Sequence, residues 1–143
     1  MPNKIELKRV QDDYGFEATD ESGHILKMDS SPASGGKDYG VRPMQVLLMG
    51  LAGCSAIDVI GILKKQRQEI TDYKMVVSGD REPNVEPSLW KEITIEFHLY
   101  GNIDPEKAQK AADLSVGKYC SVAATLVKAG ADIQYKVFVH PTA

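Results

Sequence analysis

Pro43-Met44-Gln45-Val46-Leu47-Leu48-Met49-Gly50-Leu51-Ala52-Gly53-Cys54-Ser55-Ala56-Ile57-Asp58-Val59-Ile60-Gly61-Ile62-Leu63 runs for 21 residues with a single charge, Asp58. Pro43 suits the first position of a helix, where its missing N–H costs nothing. Lys64, Lys65 and Arg67 follow where cations complement a helix C-terminus, so a central helix is predicted over 43–67. From Val46 onward the apolar residues cover the whole circumference rather than one stripe. Such a helix is either enclosed by protein on all sides or spans a membrane. Asp58 and three internal glycines, set among segments patterned for half-buried sheets and amphipathic helices, favour enclosure by sheets, other helices or a second subunit.

Outward from that helix the chain reads as α+β. Lys4 to Val10, Tyr14 to Thr19 and Ile25 to Met28 alternate apolar and polar residues around turns at Gly15 and Gly23, predicting an antiparallel meander within residues 1–30. Ser30 to Val41 is rich in Ser, Pro and Gly and reads as a flexible loop. After the helix come two long strands, Ile70 to Ser78 and Lys91 to Tyr100. In the second, Ile93, Ile95, Phe97 and Leu99 share one face. Asp104 and Pro105 open an amphipathic helix through Leu114, Ser121 to Ala129 form a shorter one ended by Gly130, and Ile133 to Val139 closes as a strand. Residues 70–143 thus read strand, strand, helix, helix, strand, and the 143 residues fit one domain able to bury its own core.

Charge and composition bound the partners. A net charge of −3, with no stripe of Lys and Arg, argues against nucleic acid and anionic membrane and for a small-molecule partner. The first ten residues contain no apolar leader, so a cytoplasmic location is expected. In that reducing compartment two cysteines are catalytic or simply buried, rather than a permanent bridge.

Those two are Cys54 and Cys120, 66 positions apart, too far for a CxxC redox motif or paired zinc knuckles. They act together only if folding joins them; otherwise they are small core residues. His24, His98 and His140 are scattered over strand-like segments and suggest no metal site with either cysteine. Ser55 lacks the Gly-x-Ser-x-Gly setting of a hydrolase nucleophile, and Gly35-Gly36-Lys37 lacks the strand and the following Ser or Thr of a phosphate loop.

Two motifs carry a family resemblance. Arg42 to Cys54, including the spacing from proline to cysteine, resembles the start of the central helix of OsmC-like proteins. Lys118-Tyr119-Cys120-Ser121-Val122-Ala123-Ala124-Thr125-Leu126 resembles the second-cysteine motif of one branch of that family, and the order of strands around both motifs agrees. The resemblance implies an intertwined homodimer of antiparallel sheets around long central helices, with active sites at the dimer interface. It also implies a thiol peroxidase acting on organic hydroperoxides or hydrogen peroxide in oxidative or osmotic stress. Cys54 would attack and Cys120 resolve, an external dithiol would reduce the product, and no metal or flavin would be required.

The same family's hydroperoxidases are expected to use an arginine from the early strands and a glutamate just after the proline. Here Tyr14, Gly15, Phe16 and Glu17 offer no arginine, and Met44 and Gln45 stand in the glutamate's place. A mid-helix thiol needs a cation to ionise, and Arg42 and Lys37 are the candidates. Arg42 lies roughly 18 Å along its own helix from Cys54, so it would serve the partner's cysteine, while Lys37 could fold over as a lid. Asp58, one turn beyond Cys54, disfavours a thiolate there and reads as a structural carboxylate. Cys120, before a helix N-terminus and near Lys118, is by local electrostatics the better acid. An alternative stays open: a non-catalytic or redox-sensing dimer that binds an apolar or acyl ligand.

Overall fold

The computed structural model describes residues 2–141. Contacts cluster into two units, residues 1–47 and 48–143. In the first unit, β1 (Glu6–Gln11), β2 (Gly15–Thr19) and β3 (Ile25–Met28) form an antiparallel sheet in the order β1-β2-β3. The alternation of the sequence therefore becomes a meander as expected. Its second turn is organised by Asp20, whose carboxylate accepts from the backbone N–H groups of Ser22 and His24.

The segment after β3 is more ordered than its composition suggests. Asp29 is buried, and its carboxylate accepts from the backbone N–H groups of Ser30, Lys37 and Tyr39. Three directed donors hold the two ends of the loop on one side chain and keep the carboxyl below the usual carboxylate range, led by the Lys37 and Tyr39 N–H groups. Pro32–Ser34 adds a 3₁₀ turn, and a Cβ at Gly36 would collide with the Ser30 carbonyl oxygen, so only glycine fits there. The expected flexible loop is thus a pinned one.

Helix α1 runs Pro43–Lys65. It ends before Arg67, which adopts φ 59° and lies beyond the last turn, so the expected boundary at 67 is two residues too long. Gln45 Oε1 accepts from the Arg42 backbone N–H at 3.0 Å, the reach-back half of a capping box.

In the second unit, β4 (Glu69–Arg81), β5 (Trp90–Asn102) and β6 (Asp132–His140) form a sheet in the order β4-β5-β6. β4 and β5 are antiparallel, but β6 runs parallel to β5. The expectation of antiparallel sheets therefore fails for one pair, and the connection explains why. Between β5 and β6 the chain crosses through α2 (Pro105–Leu114) and α3 (Ser121–Lys128), and a helical crossover returns the chain in the same direction. Asp104 caps α2 by accepting from the Glu106 N–H, with Pro105 at the first position. Gly130, at φ 107°, ends α3.

The core of this unit lies on one face of β5, where Ile93, Ile95, Phe97 and Leu99 are fully buried. Each contributes on the order of 1.5–3 kcal/mol of burial. Ala108, Ala111 and Ala112 of α2 and Ala123 and Leu126 of α3 join them, the alanines being small enough to let the helices lie close to the sheet. From α1 come Leu51, Ser55, Val59 and Leu63, a stripe with four-residue spacing. Another side of α1 stays open among the described residues: Ile57 is 74% exposed, and Met49 and Ile60 are also open. Although α1 has the length and a mean hydropathy of 2.2 common to membrane spans, it commits this stripe to a protein core.

Candidate functional site

The functional candidates assemble in the second unit, where α1 passes the junction between α2 and α3. Cys54 and Asp58 stand one turn apart on α1, both half-buried. α2 does not stop cleanly: Ser115–Tyr119 continues it as a π-helical turn, and Cys120 then leaves the helical path at φ −76°, ψ 106°. Its backbone N–H donates to the Ser115 carbonyl at 2.7 Å. This turn carries Cys120 to the N-cap of α3, where its Sγ accepts from the Ala123 N–H at 3.4 Å.

The outcome is that the Cys54 sulfur, the Cys120 sulfur and an Asp58 carboxylate oxygen all lie within 4.8 Å of one another. Both thiols are free. Folding therefore delivers the pair that the sequence could only nominate. Cys54 is part-exposed while Cys120 is 2% exposed, so the two cysteines differ in their access to solvent.

Burial also reverses one expectation. The Cys120 thiol is pushed up to about 11, first by desolvation, with the Cys54 side chain adding to the rise. The Ala123 and Val122 N–H groups pull the other way and offset this only in part. Lys118 directs its Nζ over the Tyr119 ring, 5.2 Å from the centroid. The place of Cys120 before a helix thus does not make its thiol acidic, because a short helix's N–H groups are outweighed by loss of water.

Ser115 is a site residue that sequence reading missed. Fully buried, its Oγ stands 3.0 Å from Asp58 Oδ2, to which it donates, and 3.4 Å from the Ser55 carbonyl oxygen. Asp58 therefore has a side-chain donor within its own chain. Nothing in the local pattern of Ser115-Val116-Gly117 marks the π-helical turn that aims it. Ser55 Oγ donates to the Leu51 carbonyl at 2.7 Å, a helix-internal bond that leaves it no part in the cluster.

The other predicted residues fall elsewhere. Lys37 and Arg42 belong to the first unit, where the Lys37 backbone N–H helps to close the Asp29 loop and Arg42 opens α1. Gln45, in the position expected of a carboxylate, is occupied in capping α1. The histidines are less scattered than they read: the parallel pairing of β5 and β6 sets His98 Nδ1 2.9 Å from His140 Nε2 and stacks His98 on Phe138. His98 Nε2 also meets Glu96 Oε1 at 3.1 Å, and no histidine joins the thiol cluster among the described residues.

The family model described as OsmC-like protein matches residues 35–136. Protein YhfA of Escherichia coli K12 is 39% identical over 109 residues, covering 76% of this chain and 78% of YhfA. Among solved structures, a hypothetical protein from Aquifex aeolicus VF5 superposes with a TM-score of 0.84 at 29% identity, over 100% of this chain and 99% of the other. The organic hydroperoxide resistance protein OhrB of Bacillus subtilis shares the fold at a TM-score of 0.66 and 18% identity, covering 96% of this chain and 98% of OhrB.

Proposed function

We propose, since this chain belongs to the OsmC-like family, that it is a two-cysteine thiol peroxidase acting on organic hydroperoxides or hydrogen peroxide. The observation that carries the reading is the meeting of a part-exposed thiol with a buried one inside 4.8 Å, from positions 66 residues apart. A merely structural cysteine needs no such neighbour. The hydroperoxide resistance named for OhrB fits the same chemistry.

In the first step the Cys54 thiolate attacks the terminal peroxide oxygen. An S–O bond forms, the O–O bond breaks, and the alkoxide or hydroxide leaves with a proton as alcohol or water. Cys54 is then a sulfenic acid. The Cys120 sulfur displaces its hydroxyl as water to give the disulfide, which requires the sulfurs to close from within 4.8 Å to about 2.05 Å. An external dithiol restores both thiols by exchange and is itself oxidised to a disulfide. The Cys54 proton passes to solvent as the thiolate forms, and the Asp58 carboxylate beside it is held by the Ser115 hydroxyl.

The protein works in this reading as a homodimer. The exposed apolar side of α1, led by Ile57, supports it, because a second copy would bury what one chain leaves open. Arg42 and Lys37 remain the candidate activating cations, supplied across that interface. A second reading, a redox-sensing dimer that binds an apolar ligand, draws on Gln45, which caps a helix where a hydroperoxidase would place a carboxylate.

Stopped-flow mixing of the reduced protein with cumene hydroperoxide and with hydrogen peroxide, while free thiols are counted, tests the proposal. Fast loss of two thiols per chain is expected. Slow oxidation that does not discriminate between the two peroxides would favour the binding protein.

A further inference from the structure

Two sulfurs and a carboxylate oxygen that converge from two helices form a three-donor set, and its chemistry is not limited to oxidation. Sulfur donors select soft or borderline cations over magnesium and calcium. In a tetrahedral zinc site, bond lengths of about 2.3 Å to sulfur and 2.0–2.2 Å to oxygen place donors roughly 3.5–4 Å apart. The three atoms here lie within 4.8 Å of one another, within about 1.3 Å of that spacing. We propose that the reduced Cys54/Cys120 pair, with Asp58 as third ligand, binds a thiophilic divalent cation such as Zn²⁺ and is thereby held out of the peroxide cycle. The cation's effect on turnover rests on the peroxidase reading; the binding itself does not.

The surroundings are built for this ligand set in two respects. Ser115 Oγ, fully buried, stands 3.0 Å from Asp58 Oδ2 and fixes the plane of that carboxylate, the office of partners behind metal-binding side chains. The Ala123 N–H aims at the Cys120 sulfur at 3.4 Å and orients it toward α1. Cys54 and Asp58 are only half-buried, which leaves the fourth position to water and provides a path of entry. Binding is balanced as M²⁺ plus two thiols and one carboxylate, giving the bound cation and two released protons. The bound site carries a net charge of −1, whereas two free thiolates beside Asp58 would carry −3. The cation therefore supplies the compensation that the described residues around the buried sulfur do not. A disulfide and a bound cation use the same electron pairs, so the two states exclude each other.

Cadmium is the probe, because its thiolate bonds absorb in the ultraviolet. Titration of the reduced full-length protein with CdCl₂, without peroxide, is expected to give one cation per chain, the band of two thiolates and release of about two protons. Cys54→Ser and Cys120→Ser should each lower affinity by at least 100-fold. Asp58→Asn should lower it by at least 10-fold, with Asp58→Ser as the alternative should the amide variant not fold. Zn²⁺ added to the reduced protein in place of Cd²⁺ should slow peroxide-driven disulfide formation at least 10-fold, with EDTA restoring the rate. Absence of the band in the reduced wild-type protein, or unchanged affinity in the Asp58 variants, would overturn the three-ligand site. Since the titration contains no peroxide, a protein that binds Cd²⁺ but ignores peroxide would sink the peroxidase and keep the metal site, and the reverse outcome would do the opposite.

Discussion

Cys54 and Cys120 lie close together yet sit in opposite kinds of place. Cys54 projects from the middle of a 23-residue helix, half-open to solvent, with Asp58 one turn on. Cys120 stands where a π-helical turn breaks into α3, 2% exposed, its thiol pushed up to about 11 by burial. The lesson concerns what makes a thiolate. Position at a helix N-terminus favours the anion, but two N–H groups do not replace the water that burial removes. In the proposed peroxide cycle, Cys54 is the attacking sulfur because it is the more exposed of the two, and buried Cys120 makes the intramolecular displacement.

Removing each sulfur in turn is the harshest way to break this contrast. Cys54→Ser should cut peroxide-driven thiol loss by at least about 10³-fold, because the remaining thiol is shielded and protonated. Cys120→Ser should keep the first oxidation within about tenfold of wild type but stop it at the sulfenic acid. Dimedone labelling followed by intact-mass measurement distinguishes the two. A reactive Cys54→Ser protein and a silent Cys120→Ser protein would exchange the roles.

A milder test uses pH. In Cys54→Ser, alkylation of Cys120 by iodoacetamide should still be rising at pH 10, with its midpoint somewhat below 11 because the upward push from Cys54 is gone. Stability should carry the same signature. The folded thiol titrates near 11 against an ordinary 9.0, so its contribution is full below about pH 9 and is lost as pH climbs toward 11. Denaturant melts at pH 8 and pH 10.5 should show this loss in the wild type and a flatter response in Cys120→Ala.

How far the sequence reached follows the same division between pattern and placement. The α+β class, α1, the Asp104 and Pro105 start of α2 and the buried face of β5 were legible, because each is written in local periodicity and capping residues. The parallel return of β6 was not, since an isolated strand of Ile133, Tyr135, Val137 and Val139 alternates identically in either direction. Arg67 misled the end of α1 because a basic residue suits both the last turn and the cap beyond it. At the site, the two cysteines could be named but not their exposures, which depend on what α2 and α3 lay over them. Ser115 was invisible for a related reason: a serine between Leu114 and Val116 looks like any helix residue until the π-helical turn rotates it toward Asp58. Asp29 likewise gave no sign, in a loop of serines and glycines, that three backbone donors would converge on it.

The smallest and sharpest test of the contrast lies one step behind Cys54. Ser115 Oγ stands 3.0 Å from Asp58 Oδ2 and draws negative charge away from the carboxylate beside the thiol. In Ser115→Ala that oxygen must find water, which half-buried Asp58 can do, so the stability loss should be modest, about 1–2 kcal/mol. The chemical consequence is more specific. With Asp58 released from its donor beside the sulfur, Cys54 should be alkylated severalfold more slowly at pH 7 in a Cys120→Ser background. Ser115→Thr, which keeps the hydroxyl, should return the rate toward its starting value even if it packs less well. A stability loss with no change in alkylation would make Ser115 a packing residue. A rate that moves and is rescued by threonine would show that the openness of Cys54 is only half of its reactivity, the other half being the hydrogen bond that restrains its neighbour.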